Sequence, residues 1–265
     1  MGKSIGKILL FLLLVALVFS GCAGTTDSPP SADVKNKPLR VGVTPDYPPM
    51  IFKLGGNITG AEADLALRLG EALDSPVQFI ELRWDDLIPA LMDGKIDLIM
   101  SGMTITEARK ARINFADYYL KSGLATLIRA EDADRFNSVE NILGSASTVG
   151  VMVDTTSETF VRANFANALT ILPFRNTADV VYSLKARRID LFVYDAPSIV
   201  WLVSENEGRL TGFWQPLKVE YLGWGVRRGN EELLKQVNFI LRNWRQNGTL
   251  KQVLSKWLPY WKDFD

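Results

Sequence analysis

LMDGKIDLIM at residues 91–100 returns as LKARRIDLFV at residues 184–193, identical at four of ten positions in register. Each copy passes from the end of a helical pattern into a short apolar run, the mark of a helix feeding a buried strand. Upstream of the first copy, the spacing predicts a strand at LRVGV (39–43), a helix at AEADLALRLGEAL (61–73), a strand at VQFIELR (77–83) and a short helix, WDDLIPALMDG, ending at Gly94. IDLIMSGM (96–103) then reads as a buried strand. Around the second copy the order repeats: STVGVMV (147–153), a helix from Thr156 to Asn167, LTILPF (169–174), a helix from Ala178 to Ala186, and IDLFVYD (189–195). Two β-α-β-α-β runs predict the α/β class, as two lobes with mostly parallel sheets.

KVEYLGWGVRRGN (218–230) predicts a strand leaving the second half, and helices over Glu231 to Gln246 and Thr249 to Trp257 close the chain, with Gly248 as a helix stop. If that terminal pair packs on the first half, the chain crosses twice between lobes. Crossings near Gly123 to Arg129 and Val219 to Val226 then act as a hinge. The expected boundaries are 39–127 plus 222–265 for one lobe and 128–221 for the other.

At the start of the chain, Lys3 and Lys7 precede an unbroken apolar run from Ile8 to Phe19, followed by Ser20, Gly21 and Cys22. Twelve apolar residues fall short of the roughly twenty that a membrane span needs, so residues 1–21 read as an export signal. Cys22 is the only cysteine, which excludes an internal disulfide, and its setting resembles the bacterial lipoprotein cleavage box. Acyl chains on Cys22 would hold the protein at a bilayer surface. Residues 22–38, small, polar and proline-bearing, read as a flexible tether.

Thirty basic and thirty acidic residues balance, and removal of two signal lysines leaves a net −2. With no basic excess or stripe, no nucleic-acid partner is expected. The chain has no histidine, which excludes Ser-His-Asp and Cys-His catalysis and His-containing zinc sites.

The densest polar constellation is Ser101-Gly102-Met103-Thr104-Ile105-Thr106-Glu107-Ala108-Arg109, after a predicted strand and at a predicted helix start. Backbone N–H groups there attract an anion, Thr104 and Thr106 add hydroxyls, and Arg109 can grip a carboxylate with two parallel bonds. The same pattern also fits a helix cap with a surface arginine. Asp195 ends the equivalent strand of the second half, either as cap of a helix over Ala196 to Val203 or as a fixed carboxylate facing Arg109. An opposed cation and anion suit a zwitterion. Thr155-Thr156-Ser157-Glu158 fits a capping box, with Thr156 still able to point outward. Tyr47, beside Pro48 and Pro49, is either a wall over a ligand or loop packing.

Five pieces together resemble the periplasmic polar amino-acid-binding proteins of ABC importers: DYPP (46–49), W-x-x-L-I-P-A-L-x-x-G-K-I-D-L (84–98), SGMTIT-x-x-R-x-x-x-x-x-F (101–115), RIDLFVYD (188–195) and G-x-L-x-x-V-x-x-K-W (248–257). The resemblance spans Pro38 to Pro259. It implies the type II periplasmic-binding fold and no enzymatic activity, cofactor or metal. Arg109 is then expected on the α-carboxylate of an amino acid, aided by Ser101, Gly102 and Thr104 from one lobe and Thr156 from the other. Asp195 takes the α-ammonium and Tyr47 lines the side-chain pocket. The implied partners are the amino acid, the membrane subunits of an ABC permease and, through the lipid on Cys22, an extracytoplasmic membrane face, with the protein a monomer. Members often carry an acid at Thr44, an aromatic at Ala61, a glycine at Asp154 and a selective group at Met152, so the amino acid stays open. A cyclohexadienyl-dehydratase-like enzyme on the same fold and a ligand-sensing module are the alternative readings.

Overall fold

The computed structural model describes residues 37–259. The export signal, Cys22 and nearly all of the tether lie outside the described residues, as do positions 260–265. Two five-stranded sheets carry the fold. The first runs Val77–Glu81, Leu39–Val43, Leu98–Ile99, Gly225–Val226, Asn114–Phe115, and the second runs Thr170–Phe174, Thr148–Met152, Leu191–Asp195, Leu120–Arg129, Leu210–Leu222. In each, the first three strands are parallel and the last two are antiparallel additions. A small antiparallel meander, Asp46–Tyr47, Ile51–Leu54 and Asn57–Thr59, completes the first half.

The echo that opens the sequence is a structural one. Ile96 and Ile189 are buried, as are Leu98 and Leu191, and full burial of each such side chain contributes about 1.5–3 kcal/mol. The two aspartates between them do the same job. Asp97 Oδ2 accepts from the N–H of Arg40 at 2.9 Å, and Asp190 Oδ2 accepts from the N–H of Thr148 at 2.8 Å. Each pins the start of the central one of its sheet's three parallel strands, with a parallel neighbour on either side. Arg40 also clamps Asp97 through two side-chain bonds, whereas Arg129 and Arg135 meet at Asp190.

Several elements differ in extent from the sequence expectation. The strand expected over 96–103 is only Leu98–Ile99: Met100 N–H still donates to Gly42 O at 3.1 Å, but the buried chain then turns away at Gly102, whose φ is 66°. The strand expected from Lys218 begins at Leu210, stops at Leu222 and resumes as Gly225–Val226. Its pairing to Leu120–Arg129 is interrupted between Phe213 and Lys218. Because Leu120–Arg129 belongs wholly to the second sheet, the first crossing lies at 116–119, ahead of Gly123, and a lobe boundary at 127 falls inside this strand.

The return crossing passes through Gly223 and Trp224, directly beside the first. Ala116 N–H donates to Trp224 O and Tyr119 N–H to Leu222 O, both at 2.9 Å. The rings of Tyr119 and Trp224 stack with centroids 5.4 Å apart. The helices Glu231–Gln246 and Thr249–Trp257 pack with Ala61–Ala72 in the core of the first half. Gly248, at φ 81°, makes the left-handed break between them that a side-chain-bearing residue rarely adopts. Among the described residues no helix is long and apolar enough to cross a membrane.

Candidate functional site

A cavity of about 480 Å³ opens where the carboxyl ends of the two parallel sets face each other, the usual ligand position in α/β sheets. All seven residues singled out in the sequence, Tyr47, Ser101, Gly102, Thr104, Arg109, Thr156 and Asp195, line it. Direct bonds cross it as well. The Tyr47 hydroxyl donates to Asp195 Oδ2 at 2.8 Å, and the Trp84 indole N–H donates to Asp154 O at 2.9 Å. Phe52 and Trp201 meet across the same divide with centroids 5.4 Å apart.

The capping alternatives resolve residue by residue. Thr106 caps the short helix Glu107–Lys110, its hydroxyl accepting from Arg109 N–H. That leaves the Arg109 guanidinium free for the cleft, and it is partly buried rather than a surface group. One of its N–H groups donates to Thr104 O at 2.8 Å, and its Cζ lies 5.2 Å from the centroid of the Trp84 ring. Burial pulls the guanidinium below its ordinary pKa, with Asp195 and Glu220 opposing. Asp195 precedes the helix Ala196–Ser204 yet makes no side-chain cap bond, so its carboxylate serves the cavity. Thr155 caps Thr156–Asn164, and Glu158 reaches back to Asp154 N–H at 2.8 Å, which completes the capping box without Thr156.

Three residues that the sequence reading passed over organise this site. Glu220, buried, accepts from the hydroxyl of Thr104 at 3.1 Å and from that of Thr156 at 2.9 Å, while Lys218 Nζ holds its other oxygen at 2.8 Å. Glu62, fully buried in the first turn of its helix, accepts from Gly102 N–H at 3.0 Å. Its Oε1, the Tyr119 hydroxyl and the Trp224 indole N–H make no direct hydrogen bond among the described residues, although both donors lie near enough to favour its charged form. Burial still pushes the Glu62 carboxyl up to about 7. Trp84 is the third, and the two acids that follow it, suited to a helix dipole, mask the part its ring plays. Period-2 alternation could have exposed Glu220, since it places Lys218, Glu220 and the buried Leu222 on one face of the strand.

Gly102, at φ 66°, sits so close under the Tyr47 ring that a Cβ there would collide with it. Ser101 Oγ accepts from Thr44 N–H at 2.8 Å. The Gly102 N–H and the hydroxyl hydrogens of Thr104 and Thr156 are therefore committed inside the protein. Arg109 retains unspent donors. Asp195 has its carboxyl raised to about 7, by burial first and Glu220 second, against the Tyr47 bond, Arg109 and Lys218. The result is a wall with a largely buried cation on one half and a buried carboxylate on the other.

A family model for bacterial extracellular solute-binding proteins, family 3, matches residues 39–260. The chain belongs to this family. The fold of this solute-binding protein is the type II periplasmic-binding fold that the sequence resemblance implied. The histidine-binding periplasmic protein of Escherichia coli (strain K12) is 30% identical to it, over 96% of this chain and 97% of that protein. The ABC transporter glutamine-binding protein GlnH of Bacillus subtilis (strain 168) is 28% identical, over 97% of each. Among solved structures, an ancestral amino acid-binding protein, AncCDT-1, described as a precursor of cyclohexadienyl dehydratase, is similar with a TM-score of 0.76 and 34% identity, covering 85% of this chain and 96% of that one.

Proposed function

We propose that this solute-binding protein captures a free amino acid in the cavity between its two halves and delivers it to an ABC importer. Arg109 takes the α-carboxylate, Asp195 takes the α-ammonium, and Tyr47 holds Asp195 in place while walling the pocket. Ser101 and Gly102 shape the floor beneath the ligand, and Thr104 and Thr156 approach it from opposite halves. The observation that carries this reading is the placement of Arg109 and Asp195, opposite in charge and both largely withdrawn from solvent, on one cavity. Relatives named for histidine and glutamine binding support an amino acid as the solute.

Micromolar affinity corresponds to about −8 kcal/mol. A hydrogen bond to a charged group contributes about 1.5–3 kcal/mol net, so two charged anchors with burial of the ligand between them reach that range. The closed shape, bridged by Trp84 to Asp154 and Tyr47 to Asp195, is what a permease would distinguish from the open one. Export through residues 1–21 and acylation at Cys22, with 22–38 as tether, complete the proposal of a monomer held at the outer face of a membrane.

A thermal-shift screen of the purified full chain against the twenty amino acids tests this reading, because a ligand raises the melting temperature by mass action. At least one amino acid is expected to do so, and none doing so would end it. One observation favours a second reading, a dehydratase-like enzyme: a buried carboxyl poised near 7 can hand over a proton. Release of water from arogenate or prephenate by the purified protein would establish it. An ionised Asp195 would repel prephenate, which bears two carboxylates and no ammonium, and the receptor reading is the stronger.

A further inference from the structure

Glu220 is an odd residue for a strand that only connects two lobes. It is 3% exposed, yet it meets no ligand cavity of its own. The Lys218 ammonium lies 2.8 Å from its Oε1, and a carboxylate paired with that cation can only accept hydrogen bonds. Both donors that meet at its Oε2 are hydroxyls, Thr104 from the loop after Leu98–Ile99 and Thr156 from the first turn of Thr156–Asn164. A hydroxyl has one hydrogen and two lone pairs. Once that hydrogen is given to Glu220, what each threonine's hydroxyl can offer the cavity is a lone pair.

That polarity changes their role. A carboxylate brought against two oxygen lone pairs is repelled, whereas an ammonium with three N–H donors is accepted. Gly102 adds to the same conclusion, since its N–H already belongs to Glu62. The Thr104 and Thr156 hydroxyls, which looked from sequence like carboxylate donors, instead present acceptors to the cavity.

We propose that Glu220 is a positioning residue for ligand recognition: it takes the hydroxyl hydrogens of Thr104 and Thr156, one from each lobe, and so turns both threonines into acceptors for the ligand's ammonium end. The Thr104–Glu220–Thr156 bridge also spans the cleft, so the polarity is set where the halves meet. The inference rests on the receptor reading above. It differs from the expectation that both threonines assist the carboxylate.

The test uses the full chain, the amino acid that stabilises it most among the twenty, and the des-amino acid with the same side chain, each titrated calorimetrically. Glu220→Gln keeps the shape but supplies an amide donor. It is expected to weaken the amino acid about 10- to 100-fold, the range for a lost charge-assisted bond, while the des-amino acid changes less than about threefold. Thr104→Val, which removes a hydroxyl and keeps the Glu220 charge, is expected to show the same selective loss, and it stands in should Glu220→Gln not fold. Equal losses for both ligands, or an unchanged amino-acid affinity, would overturn the role of Glu220. A selective loss in Glu220→Gln without one in Thr104→Val would overturn it too, by assigning the effect to charge alone. Absence of any wild-type ligand would instead sink the receptor reading, and the Glu220 role with it.

Discussion

The Tyr47 hydroxyl donates to Asp195 Oδ2 at 2.8 Å, joining residues 148 apart in sequence and in opposite halves of the fold. This one bond both orients the proposed ammonium acceptor and keeps it more acidic than burial alone would allow. Tyr47→Phe removes it. Ligand affinity is expected to fall by about 1.5–3 kcal/mol, and the pH at which binding is half lost to rise, since the bond lowers the Asp195 pKa. Titration calorimetry at several pH values reads both. A wild-type pH profile in the Tyr47→Phe variant would show that Tyr47 is wall and nothing more.

The pH dependence of binding and of stability should run in opposite directions. An ammonium needs an ionised Asp195, whose carboxyl is pushed up to about 7 by burial and then by Glu220, against Tyr47, Arg109 and Lys218. Affinity therefore falls as pH drops below about 7. Glu62 and Asp195 are both raised above their ordinary values when folded, so the stability they contribute is complete at low pH and is lost as pH rises through about 7. Melting curves from pH ~8 to ~5 are expected to show the ligand-free protein gaining stability from these groups while the ligand-induced shift shrinks. A ligand-induced shift that grows in acid would contradict this.

Trp84 supports Arg109 from one side and reaches Asp154 across the cleft with its indole N–H. Trp84→Ala loses a net hydrogen bond of about 1 kcal/mol and a cation–π contact of about 0.5–1 kcal/mol. Only the bond to Asp154 crosses the cleft and depends on closure, so ligand release is expected to speed up about fivefold. Stopped-flow fluorescence measures the rate.

Gly102→Ala places a methyl group against the Tyr47 ring at a positive φ that alanine rarely adopts. A loss of about 1–3 kcal/mol in stability is expected, together with weakened binding, because Tyr47 must shift off Asp195. Chemical denaturation and calorimetry on the same preparation check the two effects.

The repeated order of strands and helices was legible because each apolar run is short, bounded and followed by a 3.6-residue pattern. The site was legible because Ser101 to Arg109 and Asp195 follow directly on strand ends. Other features left weaker traces. The buried run continues to Met103 although the chain turns away at Gly102, and periodicity alone does not show that turn, so the expected strand outruns the observed one. The two-residue strand Asp46–Tyr47 is too short to show alternation. Glu62 resembles any acid in a first helical turn, and its burial depends on Tyr119 and Trp224, which arrive from the two crossings. Glu220 lies in a strand whose sequence gives no hint that two threonines, 116 and 64 residues away, will meet on it.

The most direct test of the zwitterion clamp is calorimetric titration of Arg109→Ala with the amino acid that most stabilises the wild-type chain. Loss of the guanidinium leaves the ligand carboxylate without its cation, and affinity is expected to fall by about 2–5 kcal/mol. Binding as tight as the wild type's would contradict the account, since Arg109 would then hold neither end of the ligand.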